Sequence, residues 1–341
     1  MKILTTAILL MAFSGLFAQK KKDNAPQPSL STQLLETEIA RLSDIGGGKL
    51  GVYAMHIESG RKYTRLVQEP FPMASSYKVP IAVQLFTRID SGKLSLDDMI
   101  EIRKEDLHPG SGMLTERFNW PGATKPGLAL SVRSLIELML LISDNSATDV
   151  CLRLAGGPDA VNACMKRWGI SGLRVDRQTA WLIADYLGIH LPMNKPWPNN
   201  QFDSLAAKLS PEQQKQSSKE FDEDIRDTST PDAMGALLHR IYVEPPLKPA
   251  SQVLLLDIMR RCETGMTRLK GVLPPNTEVM HKTGTIGMTT NDVGIMTLPN
   301  NAGHVIIAVF VKSSEKEIPM RERAIAEVTR AIHDYFLFSK Q

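Results

Sequence analysis

Ser75 and Lys78 stand three residues apart in the run Phe71-Pro72-Met73-Ala74-Ser75-Ser76-Tyr77-Lys78-Val79-Pro80, and together they could carry out acyl transfer. A helical run from Val79 to Ile89 follows, with Pro80 in its first turn, where a missing N–H costs little. Ser75 is therefore expected at a helix N-terminus, with Lys78 on the same face one turn above it. A buried lysine gives up its proton more readily and can take one from the serine hydroxyl, while the free N–H groups of the first turn can hold an oxyanion. Ser-x-x-Lys alone is a weak signal, because it also occurs from Ser59 to Lys62 and from Ser313 to Lys316, where nothing else suggests chemistry. Two further motifs give Ser75 its company. Ser143-Asp144-Asn145 stands once, at the junction of two expected helices, and Lys282-Thr283-Gly284 stands once, at the end of an expected strand. A cationic lysine beside hydroxyls, with a flanking glycine, can admit an anionic substrate closely.

The elements that must position these residues follow from periodicity. Leu35, Ile39 and Leu42 recur at helical spacing and predict a helix from about Thr32 to Ser43, broken by Gly46-Gly47-Gly48. Lys49 to Ile57 and Arg61 to Val67 read as a hairpin. Ser131 looks like the N-cap of a helix carrying Leu135, Leu138, Met139 and Ile142, and further helices are expected over 147–154 and 159–168. Residues 93–130 read as irregular, with turn signals at Pro109-Gly110-Ser111-Gly112 and Trp120-Pro121-Gly122. Between Gly169 and Pro231 the pattern dissolves, with Pro192, Pro196 and Pro198 in a loop, and such a stretch suggests a functional loop or an insertion. Helical periodicity resumes from Asp232 and from Pro249 to Arg261, followed by strands near 278–282, 292–298 and 304–312 and a last helix over about 322–336. Strands at both ends with helices between predict an α/β (α+β) fold, an antiparallel sheet built from both chain ends with an all-helical subdomain inserted.

The chain has 341 residues, enough for one large domain or two intimately joined ones. Its formal charge of +3 is too small to argue for nucleic acid, and Lys20-Lys21-Lys22 accounts for it. Lys2 and the apolar run Ile3 to Phe17 read as a signal peptide cut after Ala18, too short to span a membrane. Cys151, Cys164 and Cys262 cannot form a fully paired framework and are expected to be buried thiols with at most one bridge. The seven histidines form no metal-binding cluster in sequence, so neither a metal nor another cofactor is expected.

With the three motifs in this order, the chain resembles the serine β-lactamase and penicillin-binding protein superfamily, and class A β-lactamases most closely. Gly156-Gly157-Pro158, Arg226-Asp227-Thr228-Ser229-Thr230-Pro231, the run Thr264 to Gly271 and Thr290-Asn291-Asp292 add to the resemblance, which covers the whole mature chain. It implies a nucleophile at Ser75, proton removal assisted by Lys78, and an oxyanion hole from the N–H groups of Ser75 and Thr285. It further implies a proton relay through Ser143, a hold on the substrate amide by Asn145, and a carboxylate site at Lys282 and Thr283. Asp149 stands in a supporting place, where an acid near a helix start is favourable in any case. Arg177 and Asp227 match the pair that closes the class A omega loop.

One departure matters. The glutamate that activates the deacylating water in class A enzymes is replaced by Thr179, and the assisting asparagine by Ile183. Threonine is a poor general base at neutral pH. The loop over 178–226 is also enlarged, and Asp185, Glu212 and Glu220 are candidate substitutes. The organisation expected is a signal peptide over 1–18, a linker over 19–30, and a β-lactamase-like domain over 31–341. Its sheet subdomain would take about 31–70 and 250–341, and its helical subdomain about 71–249. The function expected is a secreted serine hydrolase that opens β-lactam rings through an acyl-enzyme on Ser75, with deacylation slowed. The alternatives are a penicillin-binding or D-Ala-D-Ala peptidase-like acyltransferase and a non-turnover binding domain for β-lactam or peptidoglycan. The partner expected is a small-molecule β-lactam or a peptidoglycan-like peptide, with no nucleic acid and no membrane after signal cleavage. A monomer in the bacterial periplasm is expected.

Overall fold

The computed structural model describes residues 29–108, 111–118, 128–191 and 202–338. The signal and linker up to residue 28, the turns at Pro109-Gly110 and Trp120-Pro121-Gly122, and Pro192, Pro196 and Pro198 lie outside these. The chain begins with α1 (Leu30–Gly46), β1 (Lys49–His56), β2 (Lys62–Arg65) and β3 (Phe71–Pro72), then α2 (Lys78–Asp90), β4 (Met99–Glu101), α3 (Met113–Phe118) and β5 (Ala129–Ser131). Helices α4 (Val132–Leu141), α5 (Asn145–Ala155), α6 (Gly157–Arg167), α7 (Thr179–Leu187), α8 (Phe202–Ala206) and α9 (Pro211–Glu223) follow. The remainder is β6 (Thr228–Ser229), α10 (Pro231–Tyr242), α11 (Pro249–Arg260), β7 (Val279–Ile286), β8 (Thr289–Thr297), β9 (His304–Lys312) and α12 (Ile318–Phe338).

Five strands form one antiparallel sheet in the order β2-β1-β9-β8-β7, so the first and last parts of the chain meet at β1 and β9. Side chains alternate across β9: Val305, Ile307, Val309 and Val311 pack under α1 and α12, while Ile306, Ala308 and Phe310 face the main core. Both faces are covered, which is why the strand reads as an almost continuous apolar run. Burying each such side chain stabilises the fold by about 1.5–3 kcal/mol.

Four stretches differ from the sequence expectation, and one is the 93–130 segment read as irregular, which carries β4, α3 and the start of β5, with β4 and β5 paired. Ser75 lies in a 3-10 turn, Ala74–Tyr77, rather than in the first turn of the α-helix, which begins at Lys78. Lys282-Thr283-Gly284 lies within β7, not at its end, because the strand continues to Ile286 in register with Thr289 of β8. The apparently structureless stretch after Gln178 contains α7, α8 and α9. Its helix α9 carries a complete capping box, with Ser210 Oγ accepting from Gln213 N and the Gln213 side chain accepting from Ser210 N.

Candidate active site

Several elements converge on the Ser75 turn. Asn291 of β8 donates its side-chain amide to the carbonyls of Pro72 (2.8 Å) and Met73 (3.0 Å), and Met73 N donates to Asp227 O. Ala74 is held at φ +45°, a conformation non-glycine residues avoid, and the next side chain, Ser75, is partly exposed. Gly284 of β7 is required by close approach: a Cβ there would stand 2.4 Å from Met73 O and 3.1 Å from Ser75 N. This brings β7 against the turn, beside the Ser75 N–H.

Helix α5 starts at Asn145 because Asp144 caps it, accepting from Ala147 N at 2.8 Å and also from Leu114 N at 2.7 Å. Ser143, just before the cap, is held at φ +62°. The Lys78 ammonium group, fully buried, reaches Ser143 O (2.6 Å), Ser143 Oγ (2.9 Å) and Asn145 Oδ1 (3.1 Å). Burial first, and the charge of Lys282 second, push its pKa well below the ordinary lysine value. Lys282 is itself buried and pushed down to about 8, against the opposing pull of Cys262 and Asp292. Thr283 Oγ1 bonds Thr264 Oγ1 at 2.6 Å.

Arg268 was given no role by the sequence. It donates to Gly284 O (3.1 Å), Asn291 O (2.9 Å) and Thr285 Oγ1 (2.5 Å), and pairs with Glu322 at 3.0 Å. The run Thr264 to Gly271 carried the signal, but only the fold shows that this arginine abuts Thr285.

Ser75, Ala74, Tyr77, Ser111, Asn145, Thr179, Leu182, Ile183, Thr285 and Ile286 line one cavity of about 80 Å³. Thr179 thus shares a cavity wall with Ser75, and no Asp or Glu lines the cavity among the described residues. The three candidate substitutes are engaged elsewhere. Asp185 lies 2.8 Å from Arg177 Nη1 and 3.2 Å from Arg226 Nη2, and with Glu220 it borders a separate surface hollow. Glu212 is fully exposed in the first turn of α9. Asp149 instead receives the N–H groups of Thr179 (2.6 Å) and Ala180 (3.1 Å), serving as the missing cap of α7. Its second oxygen lies 3.4 Å from His108 Nε2.

Arg177 is buried and meets three carboxylates: Asp227 at 2.6 Å, Asp185 at 2.8 Å and Asp224 at 3.1 Å. Burial alone would lower its pKa, and the charge of Asp227 leads the opposing effects that hold it above the usual value. Arg177→Ala would leave Asp227 buried without its partner and should cost roughly 3–5 kcal/mol of stability. Urea unfolding of the two proteins measures this, and a loss below about 1 kcal/mol would show that the cluster does not hold the loop.

The chain matches the β-lactamase enzyme family over residues 34–336. It is 31% identical over 276 residues to β-lactamase VEB-1 of Pseudomonas aeruginosa, covering 78% of each chain. To the carbapenem-hydrolysing β-lactamase KPC of Klebsiella oxytoca it is 27% identical over 301 residues, covering 88% of each. Among solved structures, a β-lactamase from Chitinophaga pinensis superposes with a TM-score of 0.70 at 29% identity, covering 88% of this chain and 98% of that one. The class A β-lactamase of the last common ancestor of Gram-negative bacteria gives 0.69 at 30% identity, covering 87% and 97%. The chain belongs to the β-lactamase enzyme family, among its class A serine hydrolases.

Proposed function

We propose that this chain opens β-lactam rings by forming an acyl-enzyme on Ser75. The observation that carries this is the buried Lys78 amine, three residues after Ser75 and 2.9 Å from Ser143 Oγ. Depressed in pKa, it gives up its own proton more readily than an exposed lysine and takes the Ser75 proton as Oγ attacks the lactam carbonyl. The N–H groups of Ser75 and Thr285 receive the oxyanion, and Ser143 returns the proton to the leaving nitrogen. Asn145 holds the substrate amide. Lys282 and Thr283, with Arg268 alongside, receive its carboxylate. Deacylation is slow, which is supported by the absence of a carboxylate from the cavity lining among the described residues. That same observation favours, as a second reading, a penicillin-binding type of enzyme that acylates readily and releases slowly.

Export rests on Lys2 and the apolar run Ile3 to Phe17, with cleavage after Ala18 and action as a periplasmic monomer. No helix among the described residues is long and apolar enough to cross a membrane. Mixing the mature protein with a penicillin, while following ring opening and protein mass together, tests the proposal. A mass gain of one penicillin with ring opening supports it, and neither signal would contradict it.

The carboxylate site has a pH signature. Lys282 is charged below its folded pKa of about 8 and neutral above it. For a substrate with a carboxylate, kcat/KM should therefore fall as pH rises through about 8. A substrate without the carboxylate should show no such fall, and identical profiles would remove Lys282 from this role.

A further inference from the structure

We propose that the water releasing the acyl group from Ser75 passes its proton through the Thr179 hydroxyl to the Asp149 carboxylate, so that the base stands one residue behind the cavity wall. The proposal rests on the Ser75 acyl-enzyme described above. Thr179 shares the cavity wall with Ser75, and its hydroxyl lies 2.5 Å from the Tyr77 hydroxyl. Tyr77 is buried, and burial first and the Asp149 charge second keep its phenol protonated. A phenol is the stronger donor of the two hydroxyls, so Tyr77 donates and Thr179 Oγ1 accepts. The Thr179 proton is then free to point at the Asp149 carboxylate, which the Thr179 N–H already holds at 2.6 Å. One lone pair of Oγ1 remains for a water in the cavity.

The carboxylate is well placed to receive. Its two oxygens are fixed against Thr179 by the N–H groups of Thr179 and Ala180, at 2.6 and 3.1 Å. Burial raises its proton affinity, as a base needs. Burial lowers the proton affinity of His108, 3.4 Å away, and so weakens its hold on the carboxylate's charge.

In the step itself, the water oxygen bonds to the ester carbon while its proton moves to Thr179 Oγ1 and the Thr179 proton moves to Asp149. When the tetrahedral intermediate collapses, the bond from that carbon to Ser75 Oγ breaks and its electron pair stays on Oγ. Oγ then takes the proton back through Thr179. Asp149 is left ionised, and the product leaves as a carboxylic acid that ionises in solvent.

The test is the lifetime of a penicillin acyl-enzyme, by intact mass, in the parent, Thr179→Val, Thr179→Ser and Asp149→Asn. Valine keeps the shape and the backbone N–H bond to Asp149 but removes the relay. It should lengthen the lifetime roughly 10²-fold, while serine restores a lifetime near the parent's. Asp149→Asn should lengthen it similarly, and the double variant should add little more, because both changes break one path. The parent should lose rate in D₂O, and Thr179→Val should lose much of that dependence. A Thr179→Val acyl-enzyme released as fast as the parent's overturns the relay alone and sends the search to Lys78. A parent that forms no adduct overturns both the relay and the acyl-enzyme on which it rests.

Discussion

Replacing Lys78 by methionine should slow acylation of Ser75 by a penicillin roughly 10²–10⁴-fold at neutral pH, the usual worth of a positioned general base. Methionine matches the unbranched stem and fills the buried space, so the main loss is the amine. That amine is depressed well below its ordinary pKa by burial and by Lys282, which favours the free form that an exposed lysine rarely adopts. The substitution also leaves Asn145 Oδ1 without the donor now at 3.1 Å, which adds a modest stability cost. Stopped-flow acylation and thermal unfolding, measured together, separate the two effects. Parent-like acylation by a folded Lys78→Met protein would show that another group takes the proton.

The second large effect concerns position 179. A glutamate there would supply a base directly, but alone it meets the Asp149 carboxylate, which already accepts the Thr179 and Ala180 N–H groups. Two buried carboxylates this close do not both ionise, so one would hold a proton and the gain would be blunted. Thr179→Glu combined with Asp149→Asn removes the conflict. Asparagine still offers one acceptor to the start of α7. The double variant should shorten the acyl-enzyme lifetime by roughly 10²-fold or more relative to the parent, and Thr179→Glu alone should do less. Equal lifetimes in the parent and the double variant would mean that the loop holds residue 179 away from the ester.

The grouping of the residues proposed as nucleophile, proton handlers and carboxylate site was legible because each motif is short and local, and each falls on or beside an element whose own periodicity is clear. The sheet was legible chiefly because β9 is a long apolar run and β1 opens an apolar stretch at the other end of the chain. The loop after Arg177 was not. Its α7, Thr179–Leu187, is apolar on most sides and takes its cap from Asp149, thirty positions away in sequence, so no local signal marked its start. Its α9 is almost wholly polar and lacks the apolar stripe on which periodicity depends, although Ser210 and Gln213 spelled out its capping box. The engagement of Asp185 by Arg177 and Arg226 likewise needs three dimensions, because nothing in the sequence distinguishes an ion-pair partner from a catalytic carboxylate.

The most direct test is intact-mass spectrometry of the parent and Ser75→Ala proteins after mixing with a penicillin. The Ser75 backbone carbonyl, which accepts from Lys78 N, is retained in the alanine protein, and the side chains that hold the turn and the start of α5 are those of Asn291 and Asp144, so the protein should fold normally. The parent should gain the mass of one penicillin, carried by the peptide containing Ser75, and Ser75→Ala should gain nothing. An adduct of the same mass on Ser75→Ala would place the nucleophile elsewhere and contradict the account.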